Sequence, residues 1–583
     1  MVTAHLRKQA GVKLCRRQGR RNRCSSTFCV TSSGQHVEVA VVGAGIGGLT
    51  AASLLAWQGK NVLVLESHYR PGGAAHGFTA RTEEGQFAFD TGPSFYAGLD
   101  SPGGLNPLAS VLAVLDEPLD TVQYNPLGTF HIGGAGDLST TMRSDNDMPG
   151  QPLQRYCSLD ALADEIAQFS SQGALELRNG APFIRRMCDA LRGVPPSALR
   201  ADIPRAVPSL ARYAKGFAPL GQFAPFLGEP TSKLLSFLSM NDPFLRRLVD
   251  LECFLLSGMP ADSTPAAEFA AVFGESDTLG RADFPSGGSE EIANALVRGL
   301  HKHGGDLRLN AHVARIDVDS KSNTATGVTL RSGEHIAADR VITNASMWDT
   351  FGDSDGGIVQ PADGSSEPQS LKKERDAASS TSKTPSFIHL HAGLKHASGN
   401  PDVGHHVAVN DITQPLDQPG NVRMVSVPTT WDSSLAPDGC QAAHVYSMDH
   451  FESWEEVRRN QKGGGRQMYE AKKSERCSPL WDALELALPG ARNACVLEKT
   501  ASPLTHKFWL RRSSGTYGPA IASPKTFPAA TTSVKNLLRC GDSAAPGIGV
   551  PAVAGSGLLA ANTLSTMRQH SRLMDAFDDA ASR

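Results

Sequence analysis

The stretch VEVAVVGAGIGGLTAASLLAWQGKNVLVLE, residues 37–66, decides how the rest of the chain is read. From Val39 to Gly59 it carries no charge, which is the length of a membrane-spanning helix, and Gly43 and Gly47 form a GxxxG of the kind that pairs helices in lipid. Its interior argues otherwise. Gly43, Gly45, Gly47 and Gly48 come too densely for a stable helix. VEVAVV is short and β-branched, as suits a strand covered on both faces. LTAASLLAWQG regains helical character and stops at Gly59, a C-cap residue, and KNVLVLE follows at once as a second strand. The stretch predicts a βαβ unit rather than a membrane span.

Within that unit Gly43, Gly45 and Gly48 supply GxGxxG. The first glycine permits a tight turn, the second lets backbone approach a pyrophosphate, and the third lets helix and strand pack closely. The helix start offers unpaired N–H groups to phosphate. Glu66 stands eighteen residues past Gly48, where a carboxylate accepts ribose hydroxyls and repels a 2′-phosphate. ESHYRPGGAAHGF then brings Arg70, Gly72 and Gly73, and FAFDTGPSF, residues 87–95, adds a strand, an acid and a turn. Near the far end, NLLRCGDSAAPGIGVPAVAGSG runs a strand into a lone acid, Asp542, and then into almost nothing but small residues.

These motifs resemble the flavin-containing amine oxidase and phytoene desaturase superfamily. The resemblance implies an α/β fold: a discontinuous Rossmann-like FAD-binding domain of the amine oxidase type with an interleaved α+β substrate domain. It implies FAD in an extended pose, with the motif at Arg70, Gly72 and Gly73 beside the flavin and the backbone of Val313 against the adenine. Asp542 then bonds the ribityl chain or the pyrophosphate region, Gly547, Gly549, Ala552, Ala554, Gly555 and Gly557 leave room for the flavin ring, and Gly541 and Val550 join Asp542 and Gly549 among the cofactor-binding positions. FPSGGSEEIANALVRGLHKHGGDLRLNAHVARI, residues 284–316, resembles the same superfamily with a GG turn, an amphipathic helix and a short strand, and ADRVITNAS, residues 338–346, resembles the strand that returns the chain to the nucleotide sheet. SFIHLHAGL, VNDI, SLAPDG and PLTHKFWLRRSSGTYGP resemble the carotenoid isomerase branch, with its prolycopene isomerases, over about residues 37–568. The branch pattern GDS-x-x-PG-x-GV is intact from Gly541 to Val550. Ala74 and Ala75 depart from it, standing where many relatives place Arg or Lys.

Composition sets the outer limits. A chain of 583 residues, 40% hydrophobic and 20% charged, predicts a globular protein of several domains. A net charge of −3 gives no sign of a nucleic-acid partner. Ten cysteines without a CxxC pair suit a reducing compartment. Residues 1–36 are arginine-rich and acid-free, like an organelle transit peptide, plastid or mitochondrial, or a disordered basic arm.

The expected partition is FAD-binding segments at 37–100, 281–351 and 536–568, and a mainly helical substrate segment at 101–280. An antiparallel sheet plus helices follows at 385–535, with a disordered insertion at 352–384 and a tail at 569–583. The segment 213–239 mixes Phe, Leu and Pro with little charge, as ordinary core, a greasy tunnel or a peripheral membrane contact would. His389 and His391 share one face of a strand, and with His405 and His406 they invite a metal reading. No carboxylate spacing supports it, so no metal site is assigned.

No Ser–His–Asp or paired-carboxylate constellation stands out, and no catalytic residue is assigned. The resemblance implies an enzyme of the chloroplast, stromal or peripheral to its membranes. Its expected substrate is a hydrophobic polyene, isomerised cis to trans with reduced FAD. A desaturase or a retinol saturase-like reductase uses the same parts. An amine oxidase, or a flavin-free prenyl binder of the GDP-dissociation-inhibitor type, are further alternatives. The oligomeric state stays open.

Overall fold

A computed structural model describes residues 35–92, 95–134, 152–352, 357–362, 364, 368–395, 402–459, 465–521 and 527–583. Residues 1–34 of the expected leader lie outside these.

The opening stretch forms the strand Gln35–Val42, the helix Ile46–Trp57 and the strand Val62–Leu65, with the two strands parallel. The helix is apolar all round and buried from Ile46 to Ala56, so it lies inside the protein rather than on its surface. Gly59, at φ 85°, ends it: the N–H groups of Gly59 and Lys60 turn back to the carbonyls of Ala56 and Leu55. Gln35–Val42 also pairs in parallel with His335–Thr343, which pairs in turn with Leu537–Arg539. Asp306–Arg308 borders Val62–Leu65, and the meander Val313–Asp319, Thr324–Leu330, His335–Thr343, with Val359–Pro361 outside Val313–Asp319, completes the other side. One eight-stranded sheet is thus assembled from three distant parts of the chain. Helices Glu290–Lys302 and Val550–Leu564 pack beside Ile46–Trp57 on one face of it.

A second, seven-stranded sheet runs in the order Cys495–Ala501, Ser386–Lys395, Cys440–Asp449, Val422–Ser426, His405–Val409, Gly128–Ile132, Leu153–Arg155. Helices from Leu159 to Leu279, including the long Ser171–Arg192, gather against its far end around Phe130, Leu248, Phe269 and Val409.

Both faces of the second sheet are buried. Leu390, Ala392 and Leu394 meet Leu480 and Leu484 of the helix Gly465–Ala487 on one side, while His391 meets Phe78 and Phe89 of the hairpin Gly77–Asp90 on the other. The insertion 352–384 is not disordered throughout. Gln369–Ser380 is a helix because Leu371 and Ala378, seven residues apart, fill the same core, and because Glu374 accepts from Ser533 N at 2.7 Å and Arg539 Nη2 at 2.5 Å. The tail from 569 belongs to a helix, Met567–Ser582, started by a Thr566–Gln569 capping box and buried through Leu573, Met574 and Phe577. That box also stops the preceding helix at Leu564.

Helices Ile46–Trp57 and Val550–Leu564 touch backbone to backbone: a Cβ at Gly557 would lie 2.1 Å from the Gly47 carbonyl oxygen. Gly557→Val is therefore expected to cost about 1–3 kcal/mol by overpacking. The check is calorimetric; an unchanged melting temperature would contradict this contact.

Candidate functional site

The turn after the first strand is the floor of the site. Gly43 takes φ 97° and donates its N–H to the Leu65 carbonyl at 2.8 Å. The helix Ile46–Trp57 starts with Gly45 as N-cap and no side-chain cap, so its first amides are left to face whatever enters. Asn344, just past the strand His335–Thr343, sits among the glycines. A Cβ on Gly45 would lie 2.6 Å from its Nδ2, and one on Gly47 or Gly541 would lie 2.9 or 2.7 Å from its Oδ1. Gly48 stands behind the turn, where a Cβ would meet the Gly43 carbonyl at 2.3 Å.

Glu66 follows the second strand. Its Oε2 accepts from Ala44 N and its Oε1 from His68 N, both at 2.7 Å, so the carboxylate is fixed beside the glycine turn. Gly72, at φ 109°, donates to the Ala44 carbonyl and bridges to Gly45, while a Cβ on Gly73 would lie 3.1 Å from Gly45 Cα. The second motif is thereby pressed onto the first. The carboxylate that Arg70 reaches belongs to this chain: Nη1 bonds Glu290 at 2.8 and 2.9 Å and the Gly77 carbonyl at 3.0 Å. Val313 opens its strand at the rim, next to His312 and Arg331.

The C-terminal motif closes the opposite wall. Gly541, at φ 90°, donates to Ser556 Oγ at 2.7 Å. Asp542 accepts from Arg512 Nη2 and from Ser543 Oγ. Gly549 is the uncapped N-cap of the helix Val550–Leu564, and a Cβ there would meet nothing within 4 Å. The helix Pro503–Leu510 and the turn after it add His506, Lys507, Arg511, Arg512 and Tyr517.

Together these segments enclose a cavity of about 780 Å³. Gly43, Gly45, Glu66, Arg70, Gly72, Gly73, Val313, Gly541, Asp542, Gly549 and Val550 all line it; Gly48 only shapes it. Sequence reading passed over Asn344, His506, Arg512 and Tyr517, although all lie in the quoted stretches ADRVITNAS and PLTHKFWLRRSSGTYGP. The signals were an amide at a strand exit and a cation-rich turn ahead of GDS. Cations at Arg331, Lys507, Arg511 and Arg512 suit an anionic occupant.

The histidine pattern is denser than expected. His389, His391 and His444 bring ligand atoms within 4.8 Å of one another. Their rings stack with interplanar angles of 5–12°. Two of the facing nitrogens, His389 Nδ1 and His444 Nε2, already meet each other at 2.8 Å. His405 and His406 belong to another strand, and His406 Nε2 contacts the Val403 carbonyl at 3.0 Å. Burial lowers His76, His391 and His406 to about 4 and His506 to about 3, so the imidazoles at the cavity and beside it are neutral.

Glycines closed to any Cβ, two uncapped helix starts, a fixed carboxylate and a roomy cavity joining both chain ends fit an extended flavin dinucleotide, and so define an FAD-dependent flavoenzyme of α/β type. The model of the family described as flavin containing amine oxidoreductase matches residues 46–349. The chain belongs to that family. It is 32% identical over 550 residues to prolycopene isomerase 2, chloroplastic, of an Oncidium hybrid cultivar, covering 91% of this chain and 84% of that one. It is 26% identical over 420 residues to a lycopene-forming phytoene desaturase of a Paracoccus species, covering 70% and 73%. A solved oxidoreductase from Methanosarcina mazei shares the fold at a TM-score of 0.57 and 17% identity, covering 89% of this chain and 98% of that one.

Glu66→Gln keeps the shape of the carboxylate and removes its charge. It is expected to weaken FAD binding about tenfold, or about 1.4 kcal/mol. Titration by flavin fluorescence checks this, and undiminished affinity would show that Glu66 serves only the turn.

Proposed function

We propose that this protein is a plastid FAD-dependent enzyme that isomerises a long carotenoid-like polyene from cis to trans. The observation that carries this reading is the identity to a prolycopene isomerase along nine-tenths of the chain. The Paracoccus relative keeps desaturation as the second reading.

FAD, when bound and reduced, supplies electron density that stabilises a transient charged or radical polyene and so lowers the barrier to rotation about a double bond. The chain's residues do the rest. Glu66 accepts the ribose hydroxyls, and the amides of the turn Gly43–Gly45 and of the helix after it meet the pyrophosphate. Val313 backs the adenine, while Asp542, held by Arg512, stands by the ribityl chain. Arg70 braces the second motif through Glu290. Tyr517, with Phe387 at 4.4 Å between ring centroids and Tyr446 beyond it, forms an aromatic wall from the cavity into the second sheet that excludes water and suits a conjugated chain.

A polyene dissolved in lipid needs a route into the protein. Ile203 and Val207, one turn apart on the helix Ile203–Ala211, are 76% and 62% exposed, and Phe217 and Phe237 are also exposed. Between residues 199 and 239 five basic residues outnumber two acidic ones. The exposed apolar face suits peripheral contact with a bilayer surface, while Arg200, Arg205 and Arg212 beside it are engaged by Asp202, Asp575 and Asp578. Among the described residues no helix is long and apolar enough to cross one.

Two measurements follow. The full chain, incubated anaerobically with reduced FAD and poly-cis lycopene, is expected to raise the all-trans fraction without changing the number of double bonds. A longer chromophore would instead make the enzyme a desaturase, and an unchanged isomer ratio would remove the assignment. Ile203→Glu with Val207→Glu is expected to abolish cosedimentation with phosphatidylglycerol vesicles while FAD stays bound; retained sedimentation would clear this face of membrane contact.

A further inference from the structure

One end of the cavity is walled by both halves of the protein. A carboxylate at the end of the second strand of a βαβ unit marks where the adenosine ribose of a dinucleotide lies, so the neighbours of Glu66 are the neighbours of the adenosine. Glu66 Oε1 accepts from His68 N at 2.7 Å, and His68 lines the cavity with His312, Val313 and Arg331. Trp509 meets the His68 ring edge-on at 5.3 Å between centroids and the Tyr69 ring at 6.0 Å, while His68 and Tyr69 stack at 4.4 Å.

Trp509 does not come from the nucleotide sheet. It stands on the helix Pro503–Leu510, which follows the edge strand Cys495–Ala501 of the second sheet. Arg511 caps that helix at φ 54°, in the left-handed region that few residues with a side chain adopt. The chain is then tied back to the nucleotide half. Ser513 N donates to Asp349 at 3.0 Å, and Arg512 bonds Asp542. Trp509 and Arg511 thus sit on a turn anchored at both ends, and both line the cavity.

Neither side chain is used up by the protein. Trp509 keeps 45% of its surface exposed and Tyr69 beside it 50%, an aromatic pair left open at the cavity mouth. Arg511 has no acidic partner among the described residues, and its guanidinium lies 5.2 Å from the Phe508 ring. Burial holds His68 and His312 below the ordinary imidazole value, and the charge of Arg511 acts on both in the same direction, so the guanidinium is near both. An indole and a planar guanidinium share one capacity: each stacks on the face of a base.

We propose that Trp509 and Arg511 form an adenosine clamp, a stacking cover lent by the second-sheet half that holds the adenine of the dinucleotide and makes the site select FAD over FMN. This rests on FAD occupying the cavity. FMN ends at its single phosphate and has nothing to offer the clamp. FAD fills both sides of it, with Glu66 of one half at the ribose and Trp509 of the other at the base.

The test uses the full chain and three probes: FAD, FMN, and ADP, which carries the adenosine without the flavin. ADP is expected to quench tryptophan emission in the unaltered protein. Most of that quench is expected to vanish in Trp509→Phe, which still binds ADP in competition with FAD. Trp509→Ala is expected to weaken FAD and ADP about tenfold each and to leave the weaker FMN binding unchanged. Arg511→Lys keeps the charge and loses the plane, and is expected to weaken ADP several-fold. Undiminished FAD and ADP affinity in Trp509→Ala, or an equal loss for FMN, would overturn the clamp while leaving the cofactor reading intact. Full ADP affinity in Arg511→Lys would overturn the stacking role of Arg511. An unaltered chain that binds neither FAD nor ADP would overturn both the clamp and the cofactor reading.

Discussion

The site depends on one close fit: an amide side chain in a socket without side chains. Asn344 is flanked by Gly45, Gly47 and Gly48 from the first turn and by Gly541 from the last motif, each at a distance that admits no Cβ without movement. Its backbone N–H donates to the Val42 carbonyl at 2.8 Å, so the amide is positioned by the sheet itself. Three parts of the chain are brought together there. The cavity opens directly beside the junction, and its shape follows from how closely backbone can approach backbone.

Much of this was legible. Glycine spacing between two apolar runs, with an acid at the end, specified the strand, turn, helix and strand, because each of those residue types answers a steric demand of the turn. The small residues after Asp542 signalled a second close approach. What the sequence hid were the partners. That Arg70 bonds Glu290, or that Asp542 bonds Arg512, depends on side chains meeting after folding has brought distant segments together. Asn344 was equally silent, since a single Asn at a strand exit is ordinary until its neighbours are known.

The two missed helices share a cause. Gln369–Ser380 and Met567–Ser582 are mostly polar and bury only a few side chains each, so their composition reads as solvent-exposed chain. The clues were sparse apolar positions at helical spacing and a capping box, both easily outweighed by charge. In the second sheet, alternation correctly set His389 and His391 on one face. It did not show that His444 and His506 would join them, nor that a hairpin from the FAD-binding half would seal that face.

The strand Leu537–Arg539 lies beside His335–Thr343, which lies beside Gln35–Val42. Residues separated by some five hundred positions are neighbours through a single intervening strand. A nascent polypeptide emerging from the ribosome therefore holds its first glycine turn incomplete until Leu537–Arg539 has been translated as well. Such long-range closure makes maturation slow and leaves apolar edges exposed in the interim. Premature termination near the end removes not an ornament but the keystone, and the cell's chaperones, rather than local propensity, guard the first half until the last arrives.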